Sequence, residues 1–168
     1  MISEALLPEF DHEMANTRKT LERCPTEKFD FKPHPKSFAM GALATHIADT
    51  PHWAVEIIDK PSFDVAPAGA PPFREAPLKT REEVLERFDR NVSAARAAIA
   101  KASDEDLKQP WSLLAGGQNI FTLPRVAVWR FMIVSHVIHH RAQLGVYLRL
   151  NDIPVPALSG PSADESGM

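Results

Sequence analysis

The stretch Val126-Ala127-Val128-Trp129-Arg130-Phe131-Met132-Ile133-Val134-Ser135-His136-Val137-Ile138-His139-His140-Arg141-Ala142-Gln143-Leu144-Gly145-Val146-Tyr147 decides the fold. Within it Val126, Trp129, Ile133, His136, His140, Gln143 and Tyr147 recur at steps of 3, 4, 3, 4, 3 and 4. That alternation marks the inward stripe of a long helix in a bundle. Two histidines and a glutamine interrupt the stripe near its middle. His136 and His140 are one turn apart, so their side chains lie one above the other on one face.

Working outward, prolines divide the rest of the chain. There are 15 prolines against 7 glycines, and most fall in clusters at 33–35, 61–77 and 154–161. The runs between clusters are the helix candidates. Leu6, Leu7, Phe10, Met14, Thr17 and Leu21 give a first helix from Ser3, its expected N-cap, to about Arg23. Pro8 near its start allows a late start or a small kink, and Cys24-Pro25 ends it. Ser37 is the expected cap of a second helix carrying Phe38, Met40, Leu43, Ile47, Trp53, Val55 and Ile57. Pro51 inside it predicts a distortion between Ala48 and Trp53. Residues 61–79 show no periodicity and read as a long connection. Thr80 with Glu83 forms a capping box for a third helix, striped by Val84, Leu85, Phe88, Val92, Ala95 and Ile99. Ser103-Asp104-Glu105-Asp106 suggests a short helical turn. Residues 110–122 fit a loop or a two-strand ribbon equally. The fourth helix starts near Leu123 or Pro124 and stops by Leu150, before Asn151-Asp152 and Pro154.

Four helices without convincing strands predict an all-α protein, an antiparallel four-helix bundle with a long connection between helices 2 and 3. One domain over residues 1–158 and a flexible tail over 159–168 are expected. A chain of 168 residues buries enough surface to fold without a metal or a disulfide. Its net charge of −3 gives no reason to expect nucleic acid or an anionic membrane. The single cysteine, Cys24, excludes an intramolecular disulfide and fits a reducing compartment. Neither a signal peptide nor a run of about 18 apolar residues is visible, so a cytoplasmic protein is expected.

Two imidazoles buried side by side need partners, since each unsatisfied buried polar group costs about 1–3 kcal/mol. A divalent metal supplies one, because neutral imidazole is a common ligand for late first-row ions. Two core histidines bonded to backbone or carboxylates fit the same spacing, and the pair alone leaves both readings open. His46, on the second helix near the face of Leu43 and Ile47, can join the pair if it points inward. Three protein ligands would leave an open coordination position, as catalytic sites do. His139 competes with His140, but on an ideal helix it lies about 100° off the stripe. His12, His34 and His52 read as surface, loop and helix-break residues. No HExxH, cysteine pair, calcium loop, GxSxG or phosphate loop is present. The single Glu9-x-x-His12 falls short of a di-iron site, and Cys24 lacks an assigned base.

Taken with their order along the chain, two segments resemble the DinB/YfiT-like superfamily. They are Ser37-Phe38-Ala39-Met40-Gly41-Ala42-Leu43-Ala44-Thr45-His46-Ile47-Ala48 and Ser135-His136-Val137-Ile138-His139-His140-Arg141-Ala142-Gln143-Leu144. The resemblance spans nearly the whole chain. It implies a four-helix bundle with a three-histidine divalent-metal site whose ligands fall on His46, His136 and His140. Ala142 stands where relatives often have glycine. Homodimers are common in such proteins. Some are transferases or isomerases using a low-molecular-weight thiol, and others are suspected hydrolases.

The expected function is therefore divalent-metal binding, by Zn or Ni first, with a metal-dependent, thiol-dependent transferase as the leading activity. A small-molecule substrate and a homodimer are the expected partners. A metal-dependent hydrolase and a non-catalytic metal or small-ligand binder are the alternatives. A bundle whose histidines never meet metal is the plainest one. Asp49, one turn after His46, is a candidate to orient that ring or a solvent-facing carboxylate. Gln143 is a candidate to bond a ligand or substrate, as is Tyr147 if it is more than core packing. Arg141 is expected off the stripe, in an ion pair or a dimer contact.

Overall fold

The computed structural model describes residues 1–71 and 76–166. Part of the expected 61–79 connection and the last two residues of the expected tail lie outside the described residues. The first helix, α1, spans Ile2–Glu22, starting one residue before Ser3, so the cap falls at Met1 instead. Pro8 sits inside it beyond the first turn, so the helix continues there without the N–H that would bond the Glu4 carbonyl.

The second helical run begins later than Ser37 predicts. Helix α2 spans Met40–Asp49. Its first N–H groups donate to backbone carbonyls, Met40 to Phe31 and Gly41 to Phe29, both at 2.9 Å. A side-chain cap at Ser37 is therefore not needed, and Ser37 instead closes a turn onto the His34 carbonyl. The distortion expected at Pro51 is present. The chain tightens into a 3-10 turn over Thr50–His52 and resumes as α3, Trp53–Asp59. Two carbonyls at the break accept side-chain donors. Thr50 Oγ1 donates to His46 O at 2.8 Å, and Asn91 Nδ2 donates to Ala48 O at 2.9 Å.

Helix α4, Arg81–Lys101, carries the capping box read from Thr80 and Glu83. The turn at Ser103 becomes α5, Asp104–Lys108. The all-α expectation is corrected at the next segment. Residues 110–122 are a ribbon: β2 (Pro110–Ala115) pairs antiparallel with β3 (Gln118–Pro124). Gly116 and Gly117 join them at φ +60° and +77°, the two left-handed positions that a tight two-residue hairpin requires. A short β1, Ser62–Asp64, pairs parallel to β2 and completes a three-stranded sheet. Asp64 fastens it, its carboxylate accepting from the Ala66, Gly116 and Gly117 N–H groups.

The last helical run is continuous but not uniform. Helix α6 (Arg125–Val128) passes into a π-helical segment, Trp129–Ser135, and then into α7, His136–Arg149. The wider π turn shifts the face that points inward. Trp129 and Ile133 are buried as the stripe predicts, but beyond the π segment the buried residues are Val137, Arg141, Leu144, Tyr147 and Leu148. His136 and His140 move to the flank of the core, half-buried, and Gln143 is exposed.

Helix α4 packs on α1, α2 and α3, and α7 packs on α1 and α2, so four helical runs close into a ring. Phe10, Phe88, Trp111 and Trp129 fill its interior, with Phe10 and Trp129 at 5.3 Å between ring centres. After α7 the chain folds back through Arg149–Asp164 and Arg23–Glu165 ion pairs. Among the described residues no helix is long and apolar enough to cross a membrane.

Candidate metal centre

Two elements bring the three histidines together. Helix α2 buries Met40, Leu43, Ala44, Ile47 and Ala48, which leaves His46 at the edge of that apolar face. Helix α7 buries Val137, Leu144 and Leu148, which leaves His136 and His140 at the edge of its own. The contact between α2 and α7 sets these edges against each other. His46 Nε2 lies 2.8 Å from His136 Nε2. The ring centres are 4.6 Å apart for His46–His140 and for His136–His140. One ligand atom from each of the three residues lies within 4.8 Å of the others. Among the described residues no other group of three or more His, Cys, Asp or Glu side chains converges this way.

The donor set fits a late first-row ion. Metal–nitrogen bonds of about 2.0–2.1 Å in tetrahedral geometry put ligand nitrogens about 3.3 Å apart. The observed spread, from 2.8 Å to at most 4.8 Å, brackets that value. The protonation state fits too. Burial, then the neighbouring histidines, pushes His136 down to about 4. Burial is also the largest cause lowering His46 and His140. All three are neutral near pH 7, the form that ligates metal.

His140 is oriented by a chain of hydrogen bonds. Its Nδ1–H donates to Gln143 Oε1 at 2.8 Å, which leaves Nε2 as its free ligand atom. Gln143 Nε2 in turn donates to His139 Nε2 at 3.0 Å. A metal-ligating histidine commonly has its other nitrogen fixed this way. His139 is thus outside the ligand set, as its angle on the helix predicts, yet it is tied to it. The i, i+3 spacing of His140 and Gln143 was the available signal. Thr50, which bonds the His46 carbonyl, and Phe38, whose ring sits 5.9 Å from that of His46, carried no comparable sign.

Other candidates resolve differently. Asp49 does not reach His46 but bonds Arg87 of α4 at 2.9 Å. Arg141 is in an ion pair, as read, but an internal one: it is 7% exposed and lies 2.7 Å from Glu13 of α1. Tyr147 OH donates to Phe38 O at 3.1 Å, a structural bond. Cys24 is buried against the Thr20 carbonyl, and burial pushes its thiol up to about 12, which removes it as a nucleophile. His12 bonds Asn16, and His34 accepts from the Lys36 N–H, both away from the cluster. A cavity of about 730 Å³ between α2 and α4 is lined by Asp49, Lys79, Glu83 and Arg87 among others and touches none of the three histidines. A smaller one, about 480 Å³, opens beside His140.

A family model described as the DinB superfamily matches residues 9–144, most of the chain and all three histidines. The chain belongs to the DinB superfamily. Two solved DinB-like proteins share the fold. One, from Bacillus cereus, is 19% identical with a TM-score of 0.70, over 92% of this chain and 95% of that one. The other, from Bacillus subtilis, is 17% identical with a TM-score of 0.68, over 90% of this chain and 96% of that one. No curated protein matches the sequence.

Proposed function

We propose that this DinB protein binds one divalent transition-metal ion, Zn or Ni, through His46, His136 and His140, and uses it as a metal-dependent enzyme. The observation that carries the reading is the convergence of three neutral imidazoles from two helices. Three ligands leave a coordination position open. When bound, such an ion acidifies a thiol or a water at its open position. A thiol-dependent transferase using a low-molecular-weight thiol is the favoured activity, with a small electrophile as second substrate.

The chain's own residues have definite tasks in this scheme. Gln143 fixes the ring of His140 and selects Nε2 as its ligand atom. Tyr147 fixes the backbone of Phe38, which shelters His46 on its outer side. The half-buried position of the three rings admits a small molecule while limiting water. The working form in this reading is a homodimer. Phe131 and Ile138, exposed on the last helical run, supply apolar surface for a second copy to cover.

A non-catalytic metal binder is the second reading. It is favoured by the turning of Asp49 toward Arg87, which removes the nearest candidate carboxylate from the site. Metal-loaded protein assayed with a thiol and a panel of electrophiles, and with ester and amide substrates alone, separates the readings. Turnover that needs thiol and is lost in His136→Ala supports the transferase. Turnover without thiol supports a metal-dependent hydrolase. Stoichiometric metal uptake with no turnover above the variant supports the binder.

A further inference from the structure

The cavity of about 480 Å³ beside the histidine cluster is built from two segments. Lys36, Ser37 and Phe38 come from the turn before α2, and His140, Gln143 and Val146 come from α7. Among the three clustered histidines, only His140 lines it. Lys36 is the only Lys, Arg, Asp or Glu in the lining, and no ion pair engages it among the described residues. The lining also holds the side chains of Phe38 and Val146, 52% and 57% exposed. One cavity therefore brings together a histidine of the cluster, uncovered apolar surface and a single cation.

The turn that carries Lys36 is held in place. Ser37 N–H donates to His34 O at 2.9 Å, and Lys36 N–H donates to His34 Nδ1 at 3.2 Å. Tyr147 bonds the next carbonyl, at Phe38, from α7. The root of the lysine side chain is thus tied to the helix that carries His140, and the side chain itself is exposed. A mobile point charge on a fixed root selects for charge more than for shape.

We propose that this cavity takes an elongated small molecule with an acid group at one end, received by Lys36. Its apolar middle lies along Phe38 and Val146, and its metal-binding end is directed at the position beside His140. Lys36 is then a specificity-determining residue, selecting acidic over neutral molecules. The inference rests on the metal reading above.

Cobalt-loaded protein tests both and keeps them apart. Cobalt bound by three histidines gives visible absorption bands of its own, and their absence would sink the metal reading and this inference together. With the bands present, titration with mercaptohexanoate and with mercaptohexanol compares an acid with a neutral molecule of equal length through the change in those bands. The acid should bind about three- to fivefold more tightly, the scale of an exposed ion pair. The preference should shrink with added salt. It should vanish in Lys36→Ala and reverse in Lys36→Glu, while the affinity for mercaptohexanol stays unchanged. Equal affinities in the native protein, or a preference that survives both substitutions, would overturn the role of Lys36 and leave the metal site standing.

Discussion

At the residue scale the three histidines are defined by what their burial does to their protons. His136 titrates at about 4 in the fold against an ordinary 6.5, and His46 and His140 are shifted in the same direction. A histidine lowered in the folded state takes up its proton more readily when unfolded, so falling pH favours unfolding. The stability these neutral rings contribute is complete above pH 6.5 and drains away as pH falls toward about 4. Among the lowered carboxylates, Asp64, Asp106 and Asp164 start from an ordinary 3.8 and act further down the scale, and Glu82, from 4.5, overlaps only the foot of the histidine window. Metal-free protein should therefore lose denaturation midpoint within the histidine window. A variant with His46, His136 and His140 all changed to Gln should lose clearly less over the same interval. Equal losses in the two proteins would contradict the assigned protonation. The same neutrality is what a metal requires, so acid should weaken metal uptake in parallel.

At the element scale, what could be read in advance depended on how local the deciding interaction is. The capping box at Thr80 and Glu83 is complete within four residues, and the structure shows it as the sequence predicts. The break at Pro51 follows from a missing N–H and is equally local. The stripe on the last helix holds at Trp129 and Ile133, is displaced after the π segment, and meets the core again at Tyr147. A π segment is a departure from the 3.6-residue period that no residue type announces, and it moved Gln143 to the surface and Arg141 inward. Strand β1 has three residues, too few for an alternating pattern, and it exists only because β2 is beside it. The start of α2 was misread at Ser37 because its cap is the distant backbone of Phe29 and Phe31. That same approach makes a specific demand on Gly41. A Cβ built there would meet the Phe29 ring at 2.6 Å and its Cβ at 2.9 Å. Gly41→Ala normally helps a helix by about 1 kcal/mol. Here overpacking against buried Phe29 should dominate and destabilise by about 1–3 kcal/mol. Chemical denaturation of the single variant measures this, and a stabilised variant would show that the Phe29 contact is not held.

At the scale of the molecule, the three clustered histidines come from two helical runs that already pack against each other. The ring of helices carries a continuous core with four large aromatic residues at its centre. A 168-residue chain with such a core needs no ion to fold, so a metal adds to a stability that exists without it. A ligand bound only by the folded state contributes about 2.7 kcal/mol at a free concentration of about 100 times its Kd. For a domain of this size each kcal/mol moves the thermal midpoint by about 2–4 °C, which gives a rise of about 5–10 °C with Zn or Ni. His46 is the informative position, because it alone comes from α2. His46→Ala should keep the metal-free midpoint within a few degrees and lose most of the rise. Gln143→Ala touches no ligand atom of the cluster directly. It should keep the full rise but need about tenfold more metal to reach it, since loss of a group that orients a ligand costs about 10–100-fold in affinity. A native protein whose midpoint ignores both metals, or a His46→Ala variant that responds as the native protein does, would remove the metal centre from this fold. A Gln143→Ala variant with unchanged metal demand would remove only the orienting role of the glutamine.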